Sequence, residues 1–236
     1  SILQNKKSKY SKQSIQSSAD LIEGQVVQHL GHQLVVQAPG VKRLLCRVQK
    51  TVDTLCVGDH VVVKLNLQEA DKGVVVDCMS RQNTLCRPRP NRPPALLAAN
   101  LDQLVIVMAV EPALEWTELD KYLVATELQQ IRPLILINKI ELADDKKKIA
   151  RIDAVLKGYQ NIGYETMVLS VKTGLNQALL LEKLSHKTSI LVGPSGVGKS
   201  SIVNWLLARH VTEVGQLSAK KSLGKHTTTN ACMYEF

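Results

Sequence analysis

The octapeptide Gly193-Pro194-Ser195-Gly196-Val197-Gly198-Lys199-Ser200 constrains this chain more than any other feature. It fits G-x-x-x-x-G-K-[ST], a loop whose backbone amides wrap phosphates. The apolar segment Ser189 to Val192 runs into it, and the amphipathic segment Ser201 to Arg209 runs out of it. The motif works only between a strand and a helix, so this part of the chain is read as α/β. The N–H groups of residues 195–200 and the helix N-terminus supply positive potential. Lys199 reaches for β- and γ-phosphates, the Ser200 hydroxyl suits Mg²⁺, and Ser201 completes the loop.

The surrounding pattern agrees. LDQLVIVMAV, RPLILINK, ETMVLS and TSILVG read as buried strands. LDKYLVATELQQ, KKKIARIDAVLKGY, NQALLLEKLSH and KSSIVNWLLARH alternate with them as amphipathic helices. Strands apolar throughout, alternating with helices, predict a parallel sheet covered on both faces. Residues 20–80 have another rhythm. LIEGQVVQHLGHQLVVQAPGVKRLLCRVQ alternates apolar and polar residues between Gly and Pro punctuation, and HVVVKLNL and GVVVDCMS follow. Short Val-rich runs at close intervals predict a small antiparallel barrel, with a five-stranded OB-like and an SH3-like form both fitting the strands.

Two stretches separate from these. Residues 1–19 carry Lys6, Lys7, Lys9 and Lys12 and no acid, and are read as a disordered basic arm. Residues 81–95, beginning RQNTLCRPRPNRPP, hold four arginines and four prolines and are read as an extended, semi-rigid linker. The chain therefore divides into 1–19, 20–80, 81–95 and 96–236. The charge balance is basic, 30 Lys+Arg against 21 Asp+Glu, which favours a polyanionic partner. Candidate phosphate contacts on the barrel are Lys42, Arg43, Arg47, Lys50 and Lys64, joined by the linker's Arg87, Arg89 and Arg92. Residues 11–115 contain no Phe, Trp or Tyr, so this region lacks the aromatic platforms on which barrels of this kind stack single-stranded bases. It suits a folded RNA surface read by shape and charge. Five irregularly spaced cysteines show no zinc spacing and read as free thiols of a reducing cytosol. No apolar run is long enough to cross a bilayer, and the N-terminus has no secretory signal, so a cytoplasmic protein without membrane attachment is expected.

Asn138-Lys139-Ile140-Glu141 follows the strand RPLILI. It resembles the guanine-reading N-K-x-D of GTPases, with Glu141, one methylene longer, in place of the aspartate. Ser170-Val171-Lys172-Thr173-Gly174 resembles the S-A-K motif that backs the base. Both precede the phosphate loop, the reverse of the common order, as in a circular permutation. Gly224-Lys225-His226-Thr227-Thr228-Thr229 then suits a switch I loop, with Thr228 completing Mg²⁺ coordination.

A β-barrel, an Arg/Pro segment, N-K-x-[DE], S-x-K-T-G, G-P-S-G-V-G-K-S-S and G-K-H-T-T-T, in that order, resemble the ribosome small-subunit-dependent GTPase family, RsgA. The resemblance covers about residues 20–236. It implies an OB-like barrel followed by a circularly permuted P-loop GTPase domain. It implies Mg²⁺ with GTP, hydrolysis to GDP and phosphate stimulated by the small (30S) subunit, contact with 16S rRNA in late subunit maturation, and a monomer. The family histidine of this loop, here His226, is implied to aid hydrolysis. The chain stops at Phe236 without the D-x-x-G and without the family's zinc ligands. The expectation is that the natural protein continues, and Zn²⁺ is expected only there. Two other readings fit the residues: a P-loop ATPase or nucleotide kinase in which NKIE is a coincidental cap, and a non-catalytic RNA-binding protein that keeps a nucleotide pocket.

Overall fold

Five strands, β1 (Leu21–Leu30), β2 (Gln33–Ala38), β3 (Val41–Val48), β4 (His60–Leu65) and β5 (Lys72–Cys78), close into a barrel of order β1-β2-β3-β5-β4. The computed structural model describes residues 20–69, 71–89, 91–214 and 233. Closure comes from β1 against β4, antiparallel, and from a parallel pairing of β3 with β5 that a simple meander would lack. Alternation drives this: Val26, Val36, Leu44, Cys46, Val61, Val63 and Val75 all point inward and form one apolar core. The period of two puts every second residue of a strand on one face.

The α/β part has a four-stranded parallel sheet of order β10-β9-β8-β11. Its strands are β8 (Gln103–Ala109), β9 (Arg132–Asn138), β10 (Glu165–Val168) and β11 (Ser189–Val192). Every residue of β8 is buried, because this strand is covered on both faces. Leu104, Ile106 and Met108 pack under helices α1 (Trp116–Gln129) and α2 (Lys146–Asn161). Val105, Val107 and Ala109 pack on the opposite side under α3 (Gln177–Leu184) and α4 (Lys199–Val214). Among the described residues, no helix is long and apolar enough to cross a membrane.

The reading of residues 81–95 as a tether is corrected. They enter a two-stranded antiparallel ribbon, β6 (Thr84–Arg89) with β7 (Arg92–Ala99). Pro88 falls where the register shifts between Arg87 and Arg89. A bulge frees a ribbon from needing a donor there, which is how a proline-rich segment forms strands.

The barrel and the two ends of the ribbon meet at a short, well-bonded seam. Asp59 is fully buried and takes a bidentate contact from Arg81, at 2.6 and 2.8 Å, and a third bond from the Cys56 amide at 2.8 Å. Arg81 also donates to the Thr54 carbonyl. Asn100 donates to the Gly58 carbonyl at 2.9 Å, and Asn83 and Asn100 exchange side-chain and backbone bonds with Leu101 and Gln82. A Cβ on Gly58 would lie 2.1 Å from the Ala99 carbonyl oxygen, so a glycine is required at this approach. The arm, residues 1–19, lies outside the described residues.

Candidate nucleotide site

Parallel strands send all their C-terminal ends to one edge of the sheet, where open α/β folds bind ligands. Here that edge collects the three segments singled out in the sequence. Gly193 follows β11, Asn138 ends β9, and Ser170 lies two residues beyond β10. Segments far apart in sequence and read in an unusual order thus become neighbours.

The phosphate loop turns tightly off β11. A Cβ on Gly193 would sit 2.0 Å from the Val107 carbonyl oxygen, and its φ of +139° is one that side chains avoid. The Lys199 ammonium is folded back onto its own loop, donating to the Gly193 and Pro194 carbonyls at 2.8 and 2.6 Å. Burial pulls its pKa below the ordinary lysine value. A half-buried cation whose partners among the described residues are carbonyls is primed for an anion. Ser195 and Gly196 are exposed, Val197 is buried, and Ser200 and Ser201 stand exposed in the first turn of α4. The exposed Ser200 hydroxyl is the kind of oxygen donor a hard cation takes, so the residues present fit Mg²⁺ beside a phosphate. Among the described residues no cluster of His, Cys, Asp and Glu could hold a metal.

Asn138 and Lys139 lock the base-reading loop to the phosphate loop. Asn138 Nδ2 donates to the Val197 carbonyl at 2.9 Å. Lys139 Nζ donates to the Gly196 carbonyl at 2.7 Å and to the Glu111 carbonyl at 2.9 Å. Lys139 adopts φ +57°, a left-handed conformation that costs a non-glycine residue of order 1 kcal/mol or more and is held here by its contacts. A Cβ on Gly198 would be 2.5 Å from Asn138 Nδ2, so the second glycine lets the two loops touch. Ile140 and Glu141 begin a 3-10 turn, Ile140–Leu142, tied by the Ile140 amide to the Leu169 carbonyl. Two acceptors in this motif, Asn138 Oδ1 and Glu141 Oε2, are buried and have no hydrogen-bond partner among the described residues.

Ser170 is fully buried, and its hydroxyl accepts from the Thr173 amide at 3.0 Å, forming the turn that carries Val171 and exposed Lys172. Asn176 and Gln177 brace that turn through the Val168 and Val171 carbonyls. Ser170 is thus a turn-builder facing inward, while the loop it shapes lies toward the base motif. His226 and Thr228 lie outside the described residues.

Of the candidate RNA contacts, Arg43, Arg47, Lys50, Lys64, Arg87, Arg89 and Arg92 are all exposed. The backbone of Lys42 lies in β3. Arg47 on β3 and Lys64 on β4 both pair with Val74 of β5 and form one outward row across the barrel. Arg89 and Arg92 face each other directly at the tip of the ribbon.

Sequence reasoning missed the Glu111 carbonyl, which clamps Lys139, and Tyr122 of α1, half-buried against the core with the Gly193 backbone near its hydroxyl. Glu111-Pro112 after a buried strand is a turn signal that marks the first. The pattern of α1 marks Tyr122 only as a residue of its inner face.

Comparison with known proteins fits this geometry. A sequence profile described as RsgA GTPase matches residues 78–236. The protein named small ribosomal subunit biogenesis GTPase RsgA in Photorhabdus laumondii is 39% identical over 220 residues, covering 91% of this chain and 62% of that protein. Its namesake in Haemophilus influenzae is 39% identical over 191 residues, 80% of this chain and 55% of that protein. The chain thus spans somewhat more than half the length of these curated relatives. The crystal structure of YjeQ from Thermotoga maritima superposes with a TM-score of 0.67 at 28% identity, covering 79% of this chain and 65% of that one. The structure of YloQ, described as a circularly permuted GTPase, gives 0.64 at 30% identity, covering 80% of this chain and 66% of that one. With the profile covering most of the chain and the motif order matching a permuted GTPase, the chain belongs to the RsgA GTPase family.

Proposed function

We propose that this chain is the barrel and nucleotide-binding portion of a GTP hydrolase that binds the small ribosomal subunit late in its maturation. The observation that carries the nucleotide assignment is the pair of buried, unpartnered acceptors, Asn138 Oδ1 and Glu141 Oε2, on a loop fastened to the phosphate loop. A buried carboxylate oxygen without a donor is costly, and guanine brings the missing donors in its N1–H and exocyclic amine. Adenine offers no such pair. Glu141 therefore reads the base from the 3-10 turn Ile140–Leu142. Asn138 holds the two loops in register, and Lys139 covers the base while anchoring to Gly196 and Glu111. Val171 and Lys172, carried by the Ser170 turn, lie behind the base.

The chemistry is mostly positioning and charge. Lys199 exchanges its loop carbonyls for β- and γ-phosphate oxygens, and the loop amides hold the anion in line for attack by water. Ser200, with Thr228, would hold Mg²⁺, which supplies charge neutralisation across the β- and γ-phosphates. His226 is the residue proposed to aid hydrolysis.

The barrel face supports contact with structured RNA. Arg89 opposite Arg92 is a like-charge pair, destabilising unless an anion lies between or over it. Arg47 and Lys64 share an outward row, and the region offers no aromatic platform, so phosphates rather than bases are its targets. The closed five-strand order supports an OB-like module. The names carried by relatives in Photorhabdus laumondii and Haemophilus influenzae support the small subunit as the partner, and a cytoplasmic setting follows from that partner.

The test is nucleotide affinity and turnover measured with and without purified 30S subunits. Preference for GTP over ATP with subunit-stimulated hydrolysis is expected. Equal GTP and ATP affinity would return the site to the ATPase or kinase reading, and GTP binding without turnover in either condition would leave a non-catalytic RNA-binding protein.

A further inference from the structure

A surface far from the nucleotide edge is left unused by all of this. Between the C-terminal half of α1 and the end of α2 runs a shallow groove of about 360 Å³. Val124, Leu128 and Ile162 line it at 59, 75 and 70% exposure, unusually open for three aliphatic residues side by side. Its back wall is aromatic: Tyr159 stacks obliquely between Trp116 and Tyr164, with ring centroids 6.3 Å apart in both pairs.

The rim is acidic, and it is held in place. The Tyr159 hydroxyl donates to Asp120 at 2.8 Å, and the Tyr164 hydroxyl donates to Glu127 at 3.1 Å. Among the described residues, no lysine, arginine or histidine lines the groove, in a chain whose net charge is +9. The two carboxylates are seven residues apart on one helix, about 10 Å at 1.5 Å per residue. An anionic rim repels phosphates and favours cations, so the charge pattern here is opposite to that of the barrel and ribbon.

We propose that this groove docks a basic polypeptide segment of a partner protein, its aliphatic side chains seated on Val124, Leu128 and Ile162 and its lysines or arginines on Asp120 and Glu127. On a helical ligand those cations would stand seven residues apart, with leucine-sized anchors at the turns between them. The inference concerns a protein ligand and stands independently of the nucleotide and RNA reading.

The test uses the full chain with methyl labels on Ile, Leu and Val, and a 14-residue amphipathic helical peptide of leucines with lysines seven apart. Its control has glutamates in place of the lysines. Expected are peptide-induced shifts confined to the methyls of Val124, Leu128 and Ile162, with affinity falling at least tenfold in Leu128→Gln. Affinity should also fall in Glu127→Gln, which keeps the Tyr164 hydrogen bond, and with rising salt. The proposal is overturned if millimolar peptide moves none of these methyls, or if the glutamate peptide binds equally well. It is also overturned if an RNA duplex moves them instead, if protein concentration alone shifts them as a second copy would, or if the free chain shows contacts between the Leu128 methyls and Ile2, Leu3 or Ile15.

Discussion

On the proposed reading, two side chains serve opposite halves of the nucleotide site, and their loss should be distinguishable. Among the described residues, Lys199 has loop carbonyls as its partners, and burial holds it below its ordinary pKa. Replacing it with alanine removes charge-assisted bonds to two phosphates, about 1.5–3 kcal/mol each. Lys199→Ala should therefore weaken GTP and GDP by a hundredfold or more in calorimetric titration, and near-native affinity would remove the phosphate-loop assignment. Glu141→Ala should act elsewhere. It deletes the acceptor of the guanine donors, worth about 3 kcal/mol for two such bonds, while leaving the phosphate cradle intact. The GTP-over-ATP ratio should fall about a hundredfold with little change in ATP affinity. An unchanged ratio would show that another group reads the base. Both residues are legible from local spacing. That Glu141 is left with an unpartnered oxygen is not, because the burial comes from neighbours distant in the chain.

At the level of elements, the seam between the barrel and the ends of the ribbon is the exposed weakness of the fold. Asp59 is buried completely and depends on Arg81, an interaction across 22 residues. Removing one partner of a buried pair leaves an uncompensated charge and costs about 3–5 kcal/mol. Arg81→Ala should lower the thermal midpoint by many degrees, and Arg81→Ala with Asp59→Asn should recover part of the loss, since the remaining amide carries no charge. A double variant no more stable than the single one would show that packing, not charge, holds this seam. The Pro-rich ribbon belongs to the same scale. Its composition signals extension, but its pairing depends on bulges that only the facing strand reveals.

For the whole molecule, the basic surface predicts how RNA is held. On the proposed RNA-binding reading, the exposed Arg43, Arg47, Lys50 and Lys64 on and beside the barrel, with Arg87, Arg89 and Arg92 on the ribbon, would contact phosphates without reading bases. The logarithm of affinity for 30S subunits should then fall linearly with the logarithm of salt concentration, each phosphate contact contributing about 0.7–0.9 to the slope. Arg89→Ala with Arg92→Ala should flatten the slope by roughly one to two and relieve the like-charge pair. A salt-independent affinity, or tighter binding to one unstructured oligonucleotide sequence than to the subunit, would exclude this mode.

The sequence alone determined the features written in short windows. These are the strand–loop–helix around Gly193 to Ser200, the fully apolar β8 and β9, the Val-rich barrel strands and the Asn138 to Glu141 motif. Each depends on backbone conformation or burial period within about ten residues, so a single stretch of chain suffices to specify it. Tertiary structure alone decided which of these meet. Parallel pairing of β11 with β8, of β8 with β9 and of β9 with β10 puts residues 138, 170 and 193 at one edge. Gly58 closes on Ala99, and α1 and α2 leave an acid-rimmed apolar groove between them. Such meetings are set by register and packing between segments tens of residues apart, and no local pattern carries that information.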